Sequence, residues 1–383
     1  MTVNFSSDQL ESKGVRKEDE KKESVSIMDK INAYLLTLSK VPLKEKLFFV
    51  QHLGIMLKAG ISLSKALHTI SDQSENKYFQ SILADMAQQV EKGTNFSETL
   101  KSYPKVFGQM FTSMIEAGEL SGKLEDVLHE LFIQMKKEHA LISKVKGALT
   151  YPAVIVMAML GIGSFMLVFV VPKITAMFSD LDAELPLPTK ILIAISDGIV
   201  NNGLLSAIIL VVLIITIVKT LRTHKGKFYF QLMLLRMPVF GPIIKKINLA
   251  RFARNISSLL KTDIMIIKTF QITANVLGNL HYRKALNEMA AQIKKGTNIN
   301  EVAANYPKLF PPMVIQMISI GEETGEIDSI LMELAEFYEE EVDQIMENLP
   351  AIIEPLLILG LGLGVGGVAV AVIMPMYSLT SAM

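Results

Sequence analysis

Four groups of residues have types and spacings that could do chemistry. The run Gly118-Glu-Leu-Ser-Gly122-Lys123-Leu124 comes nearest to a phosphate loop. Such a loop needs a strand, a glycine turn whose amides cradle phosphate, and a lysine and a hydroxyl at a helix N-terminus. Here three residues rather than four separate the glycines, and Leu124 stands where Ser or Thr must hold magnesium. No strand pattern precedes it, so a turn between two helices is the better reading. The histidines (His52, His68, His129, His139, His224, His281) form no metal-binding spacing and are read as core or surface residues. The pairs Glu116/Glu119 and Glu322/Glu323 stand just before a helix start, where acids gain about 0.3–1 kcal/mol from the helix dipole. Capping is one reading of these pairs; contact with a partner or a cation is the other. Glu354 heads a long uncharged segment. It either snorkels to the headgroups or faces inward toward a partner helix or a cation. No nucleophile with a base, no cofactor loop and no metal ligand set is found, which weighs against a membrane-bound enzyme. No catalytic, cofactor-binding or metal-ligating residue is assigned, and no cofactor is expected.

The elements carrying these residues occur twice. Subtracting 203 takes Gly296 to Gly93, Tyr306 to Tyr103, Pro307 to Pro104, Gly321 to Gly118, Glu322 to Glu119 and Gly325 to Gly122. The register continues into the apolar stretches, where Pro355 returns to Pro152 and Pro375 to Pro172. The duplicated unit is therefore a polar domain together with a membrane helix, and a repeat of this kind governs the whole fold.

Composition agrees. Of 383 residues, 50% are hydrophobic, yet the 38 basic and 38 acidic residues cancel. No global field and no basic groove with stacking aromatics points to nucleic acid. Cysteine and tryptophan are absent, which rules out disulfides and thiolate chemistry. Charge vanishes between Lys146 and Lys173, between Asp197 and Lys219, and after Glu354. Each gap is long enough to cross a hydrocarbon layer of about 30 Å at about 1.5 Å per residue. Lys144 and Lys146 precede the first span, and Lys219, Arg222, Lys225 and Lys227 follow the second. By the positive-inside rule both repeated domains are cytoplasmic and the connection between the first two spans is external.

The expected class is all-α: two duplicated six-helix cytoplasmic bundle domains plus three transmembrane helices. The expected plan is a polar, largely disordered tail (1–43), a first helical domain (44–146), span one (147–172), an external loop (173–197), span two (198–221), a second helical domain (222–349), span three (350–375) and an external tail (376–383). In the first domain helices are expected near 44–58, 62–73, 75–92, a short one through Leu100, 107–117 and 123–146. Ser62, and either Thr94 or Asn95, are the expected N-caps, with Glu98 at capping-box distance from Asn95. Gly118 and Gly122 bracket a tight connection, and the sixth helix runs without a breaker into span one. Span three holds Gly360/Gly364 and Gly362/Gly366, interleaved small pairs that favour close helix packing within or between subunits. Pro172 and Pro375 are expected to end their spans. A small-solute transporter would want broken helices and polar midplane groups, and these spans have few.

The duplicated helical domain, three spans, Lys58-Ala59-Gly60, Gly118-Glu-x-x-Gly122, Tyr151-Pro152 and Glu354-Pro355 together resemble the type II secretion system protein F family. That family includes the inner-membrane platform proteins of type IV pilus machines. The resemblance implies a non-enzymatic platform in the bacterial inner membrane, N-terminus cytoplasmic and C-terminus outside. Its implied partners are a hexameric assembly ATPase, pilin or pseudopilin transmembrane helices, other components of the inner-membrane machine, the lipid bilayer and further copies of the chain as a homo-oligomer. The family's motif positions fall here on Gly60, Tyr103, Pro104, Gly118, Glu119, Gly122, Pro152, Gly321, Glu322, Gly325, Glu354, Pro355 and Pro375. The module that many members carry ahead of the first domain looks cut down to the polar tail. Asp263 replaces the glycine matching Gly60, so that turn is expected to differ in the second copy.

Overall fold

The computed structural model describes residues 41–173, 175 and 187–382. The expected N-terminal tail, apart from residues 41–43, lies outside them, as does most of residues 174–186 in the expected external loop. Every regular element among the described residues is a helix. In the first copy these are α1 (Leu43–Lys58), α2 (Leu63–Gln73), α3 (Lys77–Glu91), α4 (Phe96–Lys101), α5 (Gln109–Ser121) and α6 (Leu124–Phe165). A π turn, Met166–Val170, carries α6 on to Lys173. Next come α7 (Leu187–Asn201), α8 (Gly203–Arg222) and α9 (His224–Arg236). The second copy is α10 (Phe240–Lys261), α11 (Ile266–Val276), α12 (Leu280–Ile293), α13 (Ile299–Ala304), α14 (Pro312–Thr324) and α15 (Ile327–Ala382). Among the described residues, helices α6, α8 and α15 are the three long and apolar enough to span a membrane.

The two bundles are built on the same aromatic positions. In the first, Phe49, Phe79 and Phe107 have ring centroids 5.7–6.2 Å apart. Shifted by 203 these are Phe252, Tyr282 and Phe310, with Phe310 5.2 Å from Phe252 and 5.8 Å from Tyr282. Edge-on aromatic pairs add about 0.5–1.5 kcal/mol each beyond the area they bury. Aliphatic positions one helical turn away, such as Leu53 and Ile256, complete each core.

Several local expectations give way to tertiary structure. α5 does not stop at Gly118 but runs to Ser121, ending on Gly122 in the left-handed conformation at φ 70°. Gly118 is needed for close approach instead: a Cβ there would lie 2.8 Å from Val127 Cγ2. At its counterpart Gly321 the nearest atom is backbone, with a Cβ meeting Ile327 Cα at 2.9 Å. The turn at Asp263 does not differ from that at Gly60. Asp263 takes φ 59° against 79° for the glycine, and is the one non-glycine with positive φ among the described residues. Ser62 and Asn95 occupy N-cap positions without a side-chain capping bond. Pro375 does not end α15, which continues to Ala382, and α6 likewise passes through Pro152. Proline removes one backbone bond. In hydrocarbon, fraying the helix would strand many more unpaired groups, so the helix continues. Residues 187–201, expected as loop up to 197 and as the start of span two beyond it, form α7, so the span-two helix begins at Gly203, and α9 is a helix that periodicity did not reveal.

Ala at Gly122 should cost about 1 kcal/mol, the penalty for a Cβ in the left-handed region. Gly321→Ala should cost more, because its Cβ meets backbone that cannot rotate away. Thermal loss of helical circular dichroism in detergent should show both midpoints lowered, that of Gly321→Ala further.

Candidate functional site

The repeated motif residues turn out to hold each bundle together in the same way twice. Glu119 accepts hydrogen bonds from the Phe96 and Ser97 amides at 2.6 and 3.0 Å and from Ser97 Oγ at 2.6 Å. Glu322 accepts from the Ile299 and Asn300 amides at 2.5 and 2.8 Å. These acids do cap a helix, but not the sixth one that follows them in sequence. They cap the short fourth helix, α4 or α13, from across the bundle, which is why Asn95 and Asn298 leave their side chains unused. A six-residue helix has most of its amides unpaired, so two bonds to a carboxylate matter more there than at a long helix. Glu116 has a different role, with Lys101 at 3.5 Å and Lys268 of the other bundle at 3.8 Å. Glu323 accepts from Ser319 Oγ at 3.1 Å.

The tyrosines are also a matched pair. The Tyr103 hydroxyl donates to Asp85, and the Tyr306 hydroxyl to Glu288 at the shifted position. Burial, then the neighbouring carboxylate, raises both phenols above their ordinary value, Tyr306 to about 12. Pro104 and Pro307 follow at once and turn the chain.

What sequence reasoning missed is the seam between the two bundles. α6 lies against α10 and α15, and polar side chains spaced by helical turns line the contact. Glu130 accepts from Ser258 Oγ at 2.8 Å, Gln134 Nε2 donates to Asn255 Oδ1 at 2.6 Å, and Glu138 pairs with Arg251. Arg254, only 5% exposed, forks onto Glu339 with two bonds of 2.8 and 2.7 Å. Lys137 reaches the same carboxylate at 3.4 Å, so Glu339 ties all three helices together. Lys123 reaches Asp263 at 3.1 Å, and Leu259, Ile264 and Ile272 of the second copy complete the first bundle's core. Closer to the bilayer, Lys144 pairs with Asp343, and Leu141, Ile243, Val342, Met346 and Leu349 form a separate apolar cluster. The signal that could have found the seam is divergence between the copies. Arg254 and Glu339 correspond to Gln51 and Lys136, so this pair cannot belong to the shared scaffold.

Where the helices enter the apolar layer, Tyr151 is half exposed and Pro152 buried. Glu354 and Pro355 are both exposed, and Glu354 has no charged partner among the described residues. Gly360 lies opposite Met159 of α6, which would approach an added Cβ to 3.7 Å. Gly362, Gly364 and Gly366 face open space, so of the two small pairs only Gly360 packs within the chain. The structure therefore brings Glu119, Glu322, Tyr103 and their glycine turns into two equivalent struts. It leaves Glu354 apart from them, on the outer surface of span three.

A model of the family described as Type II secretion system (T2SS), protein F matches the chain twice, over residues 49–172 and 252–375. The second block is the first displaced by 203, the internal register itself. The chain is similar to the type IV pilus assembly protein PilC of Myxococcus xanthus, 34% identical over 88% of this chain and 81% of the relative. The PilC of Thermus thermophilus is 35% identical, covering 88% and 83%. The type II secretion system protein F of Aeromonas hydrophila is 29% identical, covering 91% and 90%.

Two outcomes are expected of this geometry. Arg254→Ala leaves the largely covered Glu339 with Lys137 alone and should cost about 3 kcal/mol, while replacing both by apolar residues (Arg254→Met with Glu339→Leu) should recover most of it. Denaturation midpoints of the single and double variants check this. For the tyrosines, raised folded values mean that the fold favours the neutral phenol. Their contribution is complete below the unfolded value of about 10 and is lost as pH rises toward the folded values. Thermal midpoints should fall between pH 9.5 and 12, and fall less for a Tyr103→Phe, Tyr306→Phe double variant.

Proposed function

The chain belongs to the type II secretion system protein F family, and from that premise we propose that it is the inner-membrane platform of a type IV pilus or type II secretion machine. Its role is to couple a cytoplasmic hexameric ATPase to the polymerisation of pilin or pseudopilin subunits. The relatives' names support the class of machine. The coupling role rests on one observation above the rest. α6 and α15 each run unbroken from a polar bundle into an apolar span, and the seam pins them to one another just before they enter it.

The mechanism is mechanical. Each bundle is made rigid by its capped fourth helix and its tyrosine strut, so a push on a bundle surface is not absorbed by local bending. It passes into α6 or α15, whose hydrogen-bonded backbone converts bundle tilt into span tilt. The partner ATPase supplies hydrolysis, and this chain supplies no chemical step. Lys and Arg flanking spans one and two support a cytoplasmic side for both bundles and the N-terminus, with α7 and the C-terminus outside. Glu354, exposed on span three one turn inside the layer, is a contact point for a client helix leaving the membrane.

Helical phase tests the lever. Two alanines inserted between Thr150 and Tyr151 rotate span one by about 200° relative to the bundle, while four rotate it by a net ~40°. Both variants should insert in the membrane. Filament or secretion output should fall at least tenfold with two alanines and be largely kept with four. Equal, wild-type output from both would refute rigid coupling, and failure of the purified complex to retain an ATPase and pilin-like subunits would refute the platform role.

A further inference from the structure

The seam joins unlike faces. The first copy presents α6 and the second receives it on α10 and α15. Because the bundles are repeats, each face has a counterpart left over: the α1–α6 face of copy one corresponds to the receiving face, and the outer face of α15 to the presented one. Ser258 and Asn255, on the receiving side of the seam, are buried by the incoming helix. Their counterparts Ile55 and His52 are not covered, and Ile55 is 57% exposed beside a groove of about 300 Å³. On the other leftover face Glu333, Phe337 and Glu340 are all exposed, Phe337 at 41%.

Two of the seam's contacts carry over to matched partners on the leftover faces through the seam's own register. The seam pair Glu130–Ser258 corresponds to Glu333 and Ile55. The polar pair Gln134–Asn255 corresponds to Phe337 and His52, and His52 is stacked 3.8 Å from Phe48, so an aromatic anchor meets an aromatic wall. The ion pair Lys137–Glu339 corresponds to Glu340 and Lys136, with the signs exchanged and the attraction retained. At these last two places both partners have changed together, polar to aromatic and basic with acidic, whereas Glu333 opposite Ile55, and Glu341 opposite Phe48 where the seam has Glu138 and Arg251, form no pair. The acids flanking Phe337 would meet Lys136 and Lys58 on the receiving face.

We infer that the chain associates with further copies of itself head to tail, α15 of one chain seated on the α1–α6 face of the next by the geometry that joins its own halves. α6 and α15 enter the apolar layer in the same sense, so repeating the operation keeps every chain in one bilayer. A contact between unlike faces leaves both free at the ends and closes only as a ring. This rests on the platform reading and names an interface for the homo-oligomer that the family resemblance implies.

The chain has no cysteine, so placed cysteines are the only thiols. Full-length Ile55→Cys and Glu333→Cys variants, co-expressed with different tags and treated in membranes with a short bis-maleimide, should cross-link to each other. Neither should cross-link to itself, and a chain carrying both should give a ladder of higher species. Glu340→Lys should lower the yield several-fold and Lys136→Glu should restore it in the same chain. Self-cross-linking of either single variant, indicating a two-fold contact, overturns the inference. So does the absence of mixed product, whether from a monomer, from another interface or from coverage of Ile55 by residues 1–40. Oligomeric mass with no mixed product would remove this interface while leaving the platform reading intact.

Discussion

Two helices must change solvent midway without breaking, and the rest of the molecule is arranged around that constraint. α15 is 56 residues long, about 84 Å of helix, and α6 is 42 before its π turn. Outside the membrane each needs an apolar stripe against its bundle; inside, each must be apolar on all sides. The transition falls where Lys144, Asp343, Glu347 and Glu354 give way to uncharged sequence. A pair of long helices free to splay there would transmit nothing. The clasp centred on Glu339 lies just before that point and holds them in a fixed relation.

Duplication supplied both the rods and the means of joining them. The same helix is peripheral in one copy and central in the other. α1 buries Phe49, Val50 and Leu53 on a single stripe, whereas α10 is buried almost continuously from Asn248 to Leu259. A helix buried all round cannot carry charge without partners. Arg254, Asn255 and Ser258 each have one, drawn from both α6 and α15. Shared positions such as the Glu119/Glu322 caps maintain the bundle, and divergent positions distinguish one bundle's neighbours from the other's. Gln134 shows the cost of that specificity: its Oε1 is buried with no partner among the described residues.

This division explains what could be read without coordinates. Repeat register, helical class, three spans and the breaker-free sixth helices follow from spacing along one chain, and all are legible. The left-handed glycines at 93, 122, 296 and 325 were legible too, because few other residues accept that backbone. What failed was inference from neighbours in sequence about bonds made at a distance. Asn95 with Glu98 looks like a capping box, yet Glu119, 22 residues beyond Ser97, provides the cap. Asp263 looked like a departure from the turn, yet the surrounding repeat imposes the glycine conformation on it. Pro375 reads as a stop in water but not in lipid. The seam was invisible because none of its residues is unusual alone; only their mismatch with the other copy marks them.

The clasp has a counterpart on the far side of the bilayer. Thr189 Oγ1 of α7 donates to the Ala371 carbonyl of α15, and Ser196 Oγ donates to the Leu167 carbonyl in the π turn continuing α6. In a π turn the backbone bonds shift register, and in a dry setting the freed carbonyl is costly unless a hydroxyl meets it. α7 thus secures the outer ends of spans one and three as the seam secures their inner ends. α8, by contrast, buries none of its side chains. Spans one and three therefore form a braced pair that must tilt together, while span two, joined through short turns to α7 and α9, stands apart. The lever proposed above would need a rigid member and a fixed reference, and this asymmetry supplies one of each within a single chain.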